Sequence, residues 1–241
     1  MSDRIEGAWF RRSPAGAAIL TVIALGFASW TGTGSELFAI QEVNVTGADE
    51  LAPWEVERLS GVQAGQNILR LSTDEVAARI AASPWVAGVR VSRSLPSTVK
   101  IELVERRPVG WLADPVGRVA VAADGVVLER LPSEPSDLPA LGAWSAPLTA
   151  WDRPANLEVT LGVAASLRGS VLGRISEVTT EGGDVFLGLR EGGEVRYGAP
   201  VELEEKGRTL TSLLAWVDAR GIEDPRVDLQ IPSAPALTPG P

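Results

Sequence analysis

The 241-residue chain has few side chains of the kinds that catalyse reactions or hold metals. It contains no histidine and no cysteine, which excludes Ser-His-Asp and Cys-His triads, thiolate chemistry, His or Cys zinc sites and disulfides. The lysines are Lys100 and Lys206, and the single tyrosine is Tyr197. Catalysis would have to rest on these residues, on serine or on carboxylates. We therefore predict no catalytic, cofactor-binding or metal-binding residues.

Paired carboxylates are the remaining route to catalysis, because one can act as an acid and the other as a base or nucleophile. Glu105 ends a predicted strand and is followed by Arg106 and Arg107, a pattern more typical of an ion pair at a domain boundary. No second carboxylate is fixed beside Glu105 by the sequence. The net charge of −9 also argues against nucleic-acid binding, which requires a basic face.

Four residues of one segment are candidates for docking a partner protein. Arg90 and Arg93 lie on one predicted strand and Lys100 on the next, where they line either a solvated face or a docking patch for an acidic partner. Trp85, at a helix-to-strand corner, either fills the core of the small sheet or takes part in binding.

The elements that position these residues follow a long uncharged segment. Residues 13–35 carry no charge, and a helix of this length spans roughly 34 Å, enough to cross a hydrocarbon core of about 30 Å. Arg11 and Arg12 precede the segment, so its positive flank predicts residues 1–12 as a short cytoplasmic tail and the bulk of the chain outside. A cleaved signal peptide and a buried helix of a soluble protein remain as alternatives.

Residues 38–106 predict a small domain of two helices and three strands. A strand is expected from Phe38 to Val45, followed by helices over 53–59 and from Ser72 to Pro84. Two further strands, 86–93 and 98–105, flank a turn and form a hairpin. The order strand, helix, helix, strand, strand predicts a small sheet with both helices on one face.

Residues 107–232 predict a second domain of short strands separated by glycine and proline. Helical patterns run over 155–172 and from Pro200 to Gly221, and the last predicted strand is Arg226 to Ile231. The proline-rich residues 233–241 are predicted to be disordered. The other candidate strands are 109–112, 119–122, 126–128, 138–141, 175–180, 185–190 and 194–197.

Several motifs in these two domains together resemble the FtsQ/DivIB family of cell-division proteins. They are Gly65-Gln66-Asn67-Ile68-Leu69, Ser83-Pro84-Trp85-Val86, the run from Val89 to Pro96, Val104-Glu105-Arg106-Arg107-Pro108 and, more loosely, Asp124-Gly125, Leu138-Pro139 and Val227-Asp228-Leu229. The resemblance implies an α+β chain with a single transmembrane helix, a POTRA domain (βααββ) over 38–106, and a mixed β domain with an open sheet and flanking helices over 107–232. The chain departs from the family pattern at Gln230-Ile231, where the family often has Arg-Tyr.

The resemblance implies a non-catalytic protein that crosses the inner membrane once and scaffolds divisome assembly at the septum, helping to control septal peptidoglycan synthesis. It implies FtsB and FtsL as partners, with the septal peptidoglycan synthase complex FtsW/FtsI as a further one. We expect FtsB to pair by β-augmentation with the last strand, taken as a free sheet edge. The residues of that site are Arg226, Val227, Asp228, Leu229, Gln230 and Ile231.

A second docking site is expected on an edge strand of the POTRA domain, either 99–104 or 38–45. Two other functions compete with the scaffold. A carboxylate-based envelope hydrolase acting on peptidoglycan needs two acidic side chains in one cleft. A chaperone for outer-membrane barrel insertion is expected to carry tandem POTRA units and a barrel, whereas the sequence predicts one unit.

Overall fold

A computed structural model describes residues 36–238, so the predicted tail and membrane segment, residues 1–35, lie outside the described part. Within residues 36–238, no helix is both long enough and apolar enough to span a membrane. The described chain divides into two compact units. Residues 36–80 and 89–103 form the first, and residues 81–88 and 104–238 form the second.

The first unit is built on the predicted order of strand, helix, helix, strand and strand. A single 3-10 turn at Glu36–Phe38 precedes these elements, so the first strand begins later than the predicted Phe38. The elements are β1 (Glu42–Thr46), α1 (Pro53–Ser60), α2 (Thr73–Ala81), β2 (Val86–Ser94) and β3 (Thr98–Glu105).

Local chemistry sets the ends of both helices in this unit. Pro53 opens α1, and Gly61 ends it with a φ of 64°, a left-handed conformation that favours glycine. At the start of α2, the Ser72 hydroxyl accepts the N–H of Glu75 at 3.3 Å and so caps the helix. The core of the unit consists of Ile40, Leu51, Val56, Ile68, Val76, Ile80, Val99, Ile101 and Leu103.

The strand order in the small sheet is β1-β3-β2. The prediction that residues 99–104 form a free edge is therefore wrong, because β3 lies between the other two strands. β1 pairs with β3 in parallel, with Val43 opposite Val99. The alternating pattern of β3 indicates a strand but does not say how many neighbours that strand has, so the sequence left its position open.

The second unit contains one open sheet of nine strands in the order β12-β11-β10-β9-β8-β7-β4-β5-β6. Three helices accompany it, which agrees with a mixed β domain with flanking helices. The strands are β4 (Pro108–Asp114), β5 (Gly117–Ala122), β6 (Val127–Leu131), β7 (Ala140–Ala143), β8 (Ile175–Glu181), β9 (Asp184–Leu189), β10 (Glu194–Gly198), β11 (Arg226–Asp228) and β12 (Ala236–Thr238). The helices are α3 (Glu158–Ser166), α4 (Gly169–Leu172) and α5 (Leu203–Arg220).

Apolar residues of the strands and helices form the main core of this unit. Leu187 on β9 and both Leu210 and Leu214 on α5 are fully buried, as their spacing predicts. The helical pattern predicted over residues 155–172 is divided in two, because Leu167 leaves helical geometry with a ψ of 138°.

The prediction of a disordered tail at 233–241 is wrong for residues 236–238. These residues form β12, which runs antiparallel to β11. Leu237 is half-buried against the main core, and Pro232 before it is buried. Proline-rich composition predicted disorder because it averages over the whole segment. That average misses one residue, Leu237, which packs against the core.

Candidate partner-binding edge of the sheet

The strand predicted to bind a partner, β11, is an inner strand of the sheet. It pairs in parallel with β10, with Glu194 opposite Arg226, and antiparallel with β12, with Asp228 opposite Ala236. The expectation that Arg226 to Ile231 form a free edge is therefore wrong. Both sides of the β11 backbone are already engaged within the chain.

The side chains of the predicted binding segment alternate between the core and the surface. Val227 and Leu229 are buried, whereas Arg226 and Gln230 are exposed. Ile231, just beyond the strand, is a large apolar residue with 62% of its surface exposed. The alternation is that of a strand with one face on the core, so part of the segment supports the fold rather than offering contacts.

A polar network ties the exposed side of this segment to the neighbouring strands. Asp184 Oδ2 accepts hydrogen bonds from the Arg196 guanidinium at 2.9 Å and from Gln230 Nε2 at 3.3 Å. Asp228 Oδ1 accepts the N–H of Gln230 at 3.0 Å. Gln230, where the family that the sequence resembles often has Arg, is thus engaged inside the chain.

The two ends of the nine-stranded sheet differ. At β6, the N–H of Val127 donates to Asp152 O and the C=O of Val127 accepts the N–H of Trp151, both at 2.9 Å. Thr149 closes this loop by donating its N–H and its hydroxyl to Asp152 Oδ2, at 2.6 and 3.0 Å. Trp151 has a φ of 76°, a strained value for a bulky residue. The loop therefore occupies the outer side of β6 at Val127.

The other end of the sheet, β12, is open. Among residues 36–238, no strand and no isolated bridge pairs with its outer side. Helix α5 adjoins the connection that leads into β12, where the Thr209 hydroxyl donates to Pro232 O at 3.5 Å. Farther along α5, the half-exposed Trp216 stacks with the Arg220 guanidinium at 3.8 Å from the ring centre.

Three polar residues of types that can catalyse meet where β10 leads into α5. Tyr197 donates its hydroxyl hydrogen to Leu203 O at 3.0 Å and lies 3.4 Å from Ser166 Oγ. Lys206 is 1% exposed, and its Nζ donates to Tyr197 O and Ala199 O, both at 2.8 Å. Burial lowers the pKa of Lys206 and raises the pKa of Tyr197. These bonds to backbone carbonyls fix the β10–α5 connection, which indicates a structural role.

A cavity of about 580 Å³ in the second unit has two carboxylates in its lining, Glu105 and Asp124. Partial burial opposes the ionisation of Asp124, but the hydrogen bond and charge of Arg106 outweigh it, so the pKa of Asp124 lies below its usual value. Arg106 Nε donates to Asp124 Oδ2 at 2.9 Å, and Nη1 donates to Pro84 O and Val86 O. A carboxylate held ionised by an arginine is poorly suited to act as a general acid.

The three basic docking candidates lie in the first unit and differ in their contacts. Arg90, Arg93 and Lys100 are all exposed, and the Arg93 guanidinium also donates to Leu71 O at 2.6 Å and to Leu69 O at 3.5 Å. Residues on a strand alternate between faces, so positions 90 and 93 point to opposite sides. A docking role for Arg90, Arg93 and Lys100 therefore stays a prediction.

Trp85 belongs by its contacts to the second unit rather than to the core of the small sheet. It is half-buried and packs against a small apolar cluster made by β5 and the start of β6. The expectation that it fills the core of the small sheet is wrong, because residues 81–88 group with the second unit. The residues of the cluster are Ala120, Ala122, Val126 and Leu128.

The chain is similar in sequence to proteins of bacterial cell division. Residues 38–106 match the family described as POTRA domain, FtsQ-type. A protein named cell division protein FtsQ from Anaeromyxobacter sp. (strain K) is 35% identical over 237 residues, which cover 91% of this chain and 80% of that protein. Another of the same name from Streptomyces bingchenggensis is 29% identical over 234 residues, covering 95% of this chain and 86% of that protein.

A solved structure is also similar. It is the major extracytoplasmic domain of the trans isomer of the bacterial cell division protein DivIB from Geobacillus stearothermophilus, which is 24% identical in sequence. The match covers 48% of this chain and 93% of that one, with a TM-score of 0.35.

Proposed function

Because the chain belongs to the FtsQ/DivIB family of cell-division proteins, we propose that it is a non-catalytic scaffold of the divisome. A role in division follows from the family, and the scaffold mechanism is the proposal. The chain crosses the cytoplasmic membrane once through residues 13–35, with its N-terminus inside. Both described units lie in the periplasm or extracytoplasmic space at the septum.

The proposed mechanism is β-augmentation at β12 by the extracytoplasmic part of FtsB, bound together with FtsL. The observation that carries it is the open outer side of β12 at one end of the sheet, with the other end occupied at Val127 of β6. An open strand edge offers N–H and C=O groups that a strand from another chain can pair with. The proposed contact is therefore on β12, one strand outside the predicted Arg226–Asp228. These three residues form β11, which pairs with β12 inside the chain.

The scaffold acts on septal peptidoglycan synthesis indirectly in this proposal. By holding FtsB and FtsL at the septum, it places them where the synthase complex FtsW/FtsI works. A hydrolase of peptidoglycan is the competing function. It has less support, since one of the two carboxylates lining the 580 Å³ cavity, Asp124, is held ionised by Arg106.

Site-specific photo-crosslinking in living cells tests the contact. A photoreactive amino acid replaces Thr238 on β12 or, as the matched control, Glu129 on β6, since both side chains are exposed on terminal strands of the same sheet. We expect an FtsB adduct from position 238 and none from position 129. Adducts from position 129 alone, or from neither position, contradict the proposal.

Depletion of the protein separates the division role from the hydrolase. Depleted cells are expected to form filaments without septa, as seen by fluorescence microscopy of stained membranes. The purified chain is expected to leave no clearing on a peptidoglycan zymogram. A cleared band that is lost on Asp124→Asn substitution would favour the hydrolase.

A further inference from the structure

The backbone hydrogen bonds around β11 fix which of its residues face each neighbour. The N–H of Glu194 donates to Pro225 O at 3.0 Å, and the N–H of Leu229 donates to Arg196 O at 2.8 Å. Within a strand, the N–H and C=O of one residue point to the same side, and the next residue points to the other side. The odd-numbered residues of this segment therefore direct their backbone groups toward β10.

The even-numbered residues of β11 direct their backbone groups toward β12. Arg226 is opposite Thr238 and Asp228 is opposite Ala236, so these two pairs exchange the hydrogen bonds of the antiparallel ladder. Leu237 lies between Ala236 and Thr238 and alternates with them. Its N–H and C=O therefore point outward, away from β11, while its side chain packs half-buried against the core.

Proline limits the donors on both sides of Leu237. Pro235 has no N–H, and the N–H of Ala234 donates to Ile231 O at 3.0 Å within a turn. In the described part of this edge, residues 234–238, the N–H of Leu237 is therefore the single donor left for a partner. The next residue of the sequence, Pro239, has no N–H either.

Pro235 lies at a position whose backbone N–H would not take part in the hydrogen bonds between β11 and β12. A proline at position 236 or 238 would remove a hydrogen bond to β11, whereas a proline at 235 removes none of those bonds. Proline on an edge strand also discourages unwanted pairing. Within residues 234–238 only Leu237 offers an outward backbone N–H, so two copies of this segment could share few backbone hydrogen bonds, which disfavours self-association.

We propose that the N–H of Leu237 is the backbone donor that specifies the partner strand, and that Pro235 restricts pairing to a short segment opposite it. This inference rests on the proposed function, in which β12 receives a strand. The partner that fits is a short extended peptide that donates more backbone hydrogen bonds than it accepts. Its residue opposite Leu237 is not proline, and its side chains supply the remaining affinity.

Substitution of Leu237 itself tests the donor. Leu237→Pro removes the outward N–H and spares the ladder to β11, while Leu237→Ala removes the side chain and keeps the N–H. The measurement is the affinity of the full chain in detergent for a fluorescent peptide of the FtsB extracytoplasmic segment from the same organism. We expect the Pro variant to bind roughly tenfold more weakly than the Ala variant, the effect of losing one hydrogen bond and leaving its acceptor unpaired.

A second variant gains a donor instead of losing one. Pro235→Ala restores an N–H beside the open edge and is expected to bind the peptide several-fold more tightly. Hydrogen exchange at the Arg226 and Asp228 amides reports whether β12 stays in place in each variant. If these amides lose their protection in Leu237→Pro, that variant no longer tests the donor. The peptide affinity of Pro235→Ala, compared with that of the wild-type chain, then tests the proposal.

The outcomes separate this inference from the proposed function. No binding of the peptide by the wild-type chain overturns both. Binding by the wild-type chain that is equal in the Pro and Ala variants at position 237, with β12 in place, overturns the role of the Leu237 N–H and leaves the proposed function standing. An unchanged affinity in Pro235→Ala overturns the restriction by proline.

Discussion

A single carboxylate, Asp114, connects three segments of the second unit. Its Oδ1 accepts the N–H groups of Val116 and Gly117 in the β4–β5 turn, at 2.9 and 2.7 Å. Its Oδ2 accepts the N–H of Leu148 at 2.8 Å. Arg130 on β6 pairs with both oxygens, at 3.0 and 2.8 Å, and the Asp114 side chain has no exposed surface. An ionised group with this many donors is expected to matter for stability.

Asp114 predicts how the stability of the protein depends on pH. The hydrogen bond from Arg130 and then the backbone donors hold the pKa of Asp114 well below its usual range. The stabilisation is therefore present above the unfolded-state pKa of about 4, and it is lost as the pH falls below that value toward the folded-state pKa. We expect Asp114→Asn to lower the urea midpoint at pH 7 and to flatten its fall below about pH 4.

The control for this substitution is Glu129→Gln on β6, an exposed position on the same strand as Arg130. It is expected to change neither the midpoint nor its dependence on pH. If the urea midpoint of Asp114→Asn and that of the wild-type chain fall in parallel as the solution is acidified, the assignment to Asp114 is incorrect.

Among the elements, α3 and α5 approach each other at a glycine. A Cβ placed on Gly207 would lie 2.7 Å from Ser166 O, which is backbone and cannot swing aside. Ser166 is the last residue of α3, and its hydroxyl already donates to Val163 O at 2.7 Å. The close approach positions the buried Lys206, next to Gly207, against the β10–α5 connection.

Two glycine-to-alanine substitutions in these helices are expected to act in opposite directions. Alanine is the better helix former by about 1 kcal/mol. At Gly162 on α3, the nearest atom to an added Cβ is Leu203 Cδ1 at 3.7 Å, so Gly162→Ala should raise the free energy of unfolding by up to about 1 kcal/mol. Gly207→Ala should lower it by about 1–2 kcal/mol, because the overpacking outweighs the propensity. Urea unfolding followed by tryptophan fluorescence measures both, and a stabilised Gly207→Ala contradicts the packing described.

Helices and strands with a clear period of apolar residues could be predicted from the sequence. Which strand pairs with which in the sheet could not be predicted. The periods of α1, α2, β9 and α5 and the turn between β2 and β3 predict those elements close to their observed bounds. The parallel pairing of β1 with β3 joins distant segments, and nothing in either pattern specifies it. β12 was missed because three residues between prolines give no period, so the predicted binding segment lies one strand inside the open edge.

The polar contacts of single residues were also beyond the sequence. Asp114 stands at a turn signal, Asp-Pro-Val-Gly, that predicts a turn but not the pairing with Arg130, 16 residues away across β5. A lysine on a helix is expected to be exposed, yet Lys206 is buried. Its ammonium group donates hydrogen bonds to two backbone carbonyls, which compensates for the burial. Such contacts depend on the completed sheet order rather than on local spacing.

On the scale of the whole molecule, the two ends of the nine-stranded sheet in residues 36–238 differ in how far their outer sides are engaged. The loop at 149–152 engages β6 at Val127, and β12 remains open with one outward N–H in residues 234–238. If β12 receives a partner strand as proposed, the single outward N–H also gives two copies of this edge little tendency to pair with each other. The net charge of −9 adds repulsion between copies. Both features agree with the proposed binding of a strand from a different protein.

The proposed membrane topology leads to a prediction for cysteine labelling of the chain. The uncharged residues 13–35 follow Arg11 and Arg12, so the N-terminus is expected in the cytoplasm and the described units outside. Because the chain has no cysteine, one introduced cysteine reports its own surroundings. Ser133→Cys, an exposed position, should react with a membrane-impermeant maleimide in intact spheroplasts, whereas Ser2→Cys should react only after lysis.

The alternatives for residues 13–35 give different labelling. Cleavage as a signal peptide would remove position 2 from the mature chain, so Ser2→Cys would stay unlabelled even after lysis while Ser133→Cys reacted. A soluble intracellular chain would leave both positions unlabelled until lysis. Retention in the membrane pellet after an alkaline carbonate wash separates a spanning helix from peripheral attachment, because a helix crossing about 30 Å of hydrocarbon does not depend on charge. If Ser133→Cys is labelled, Ser2→Cys stays unlabelled even after lysis, and the carbonate wash releases the chain, the single-span topology is contradicted.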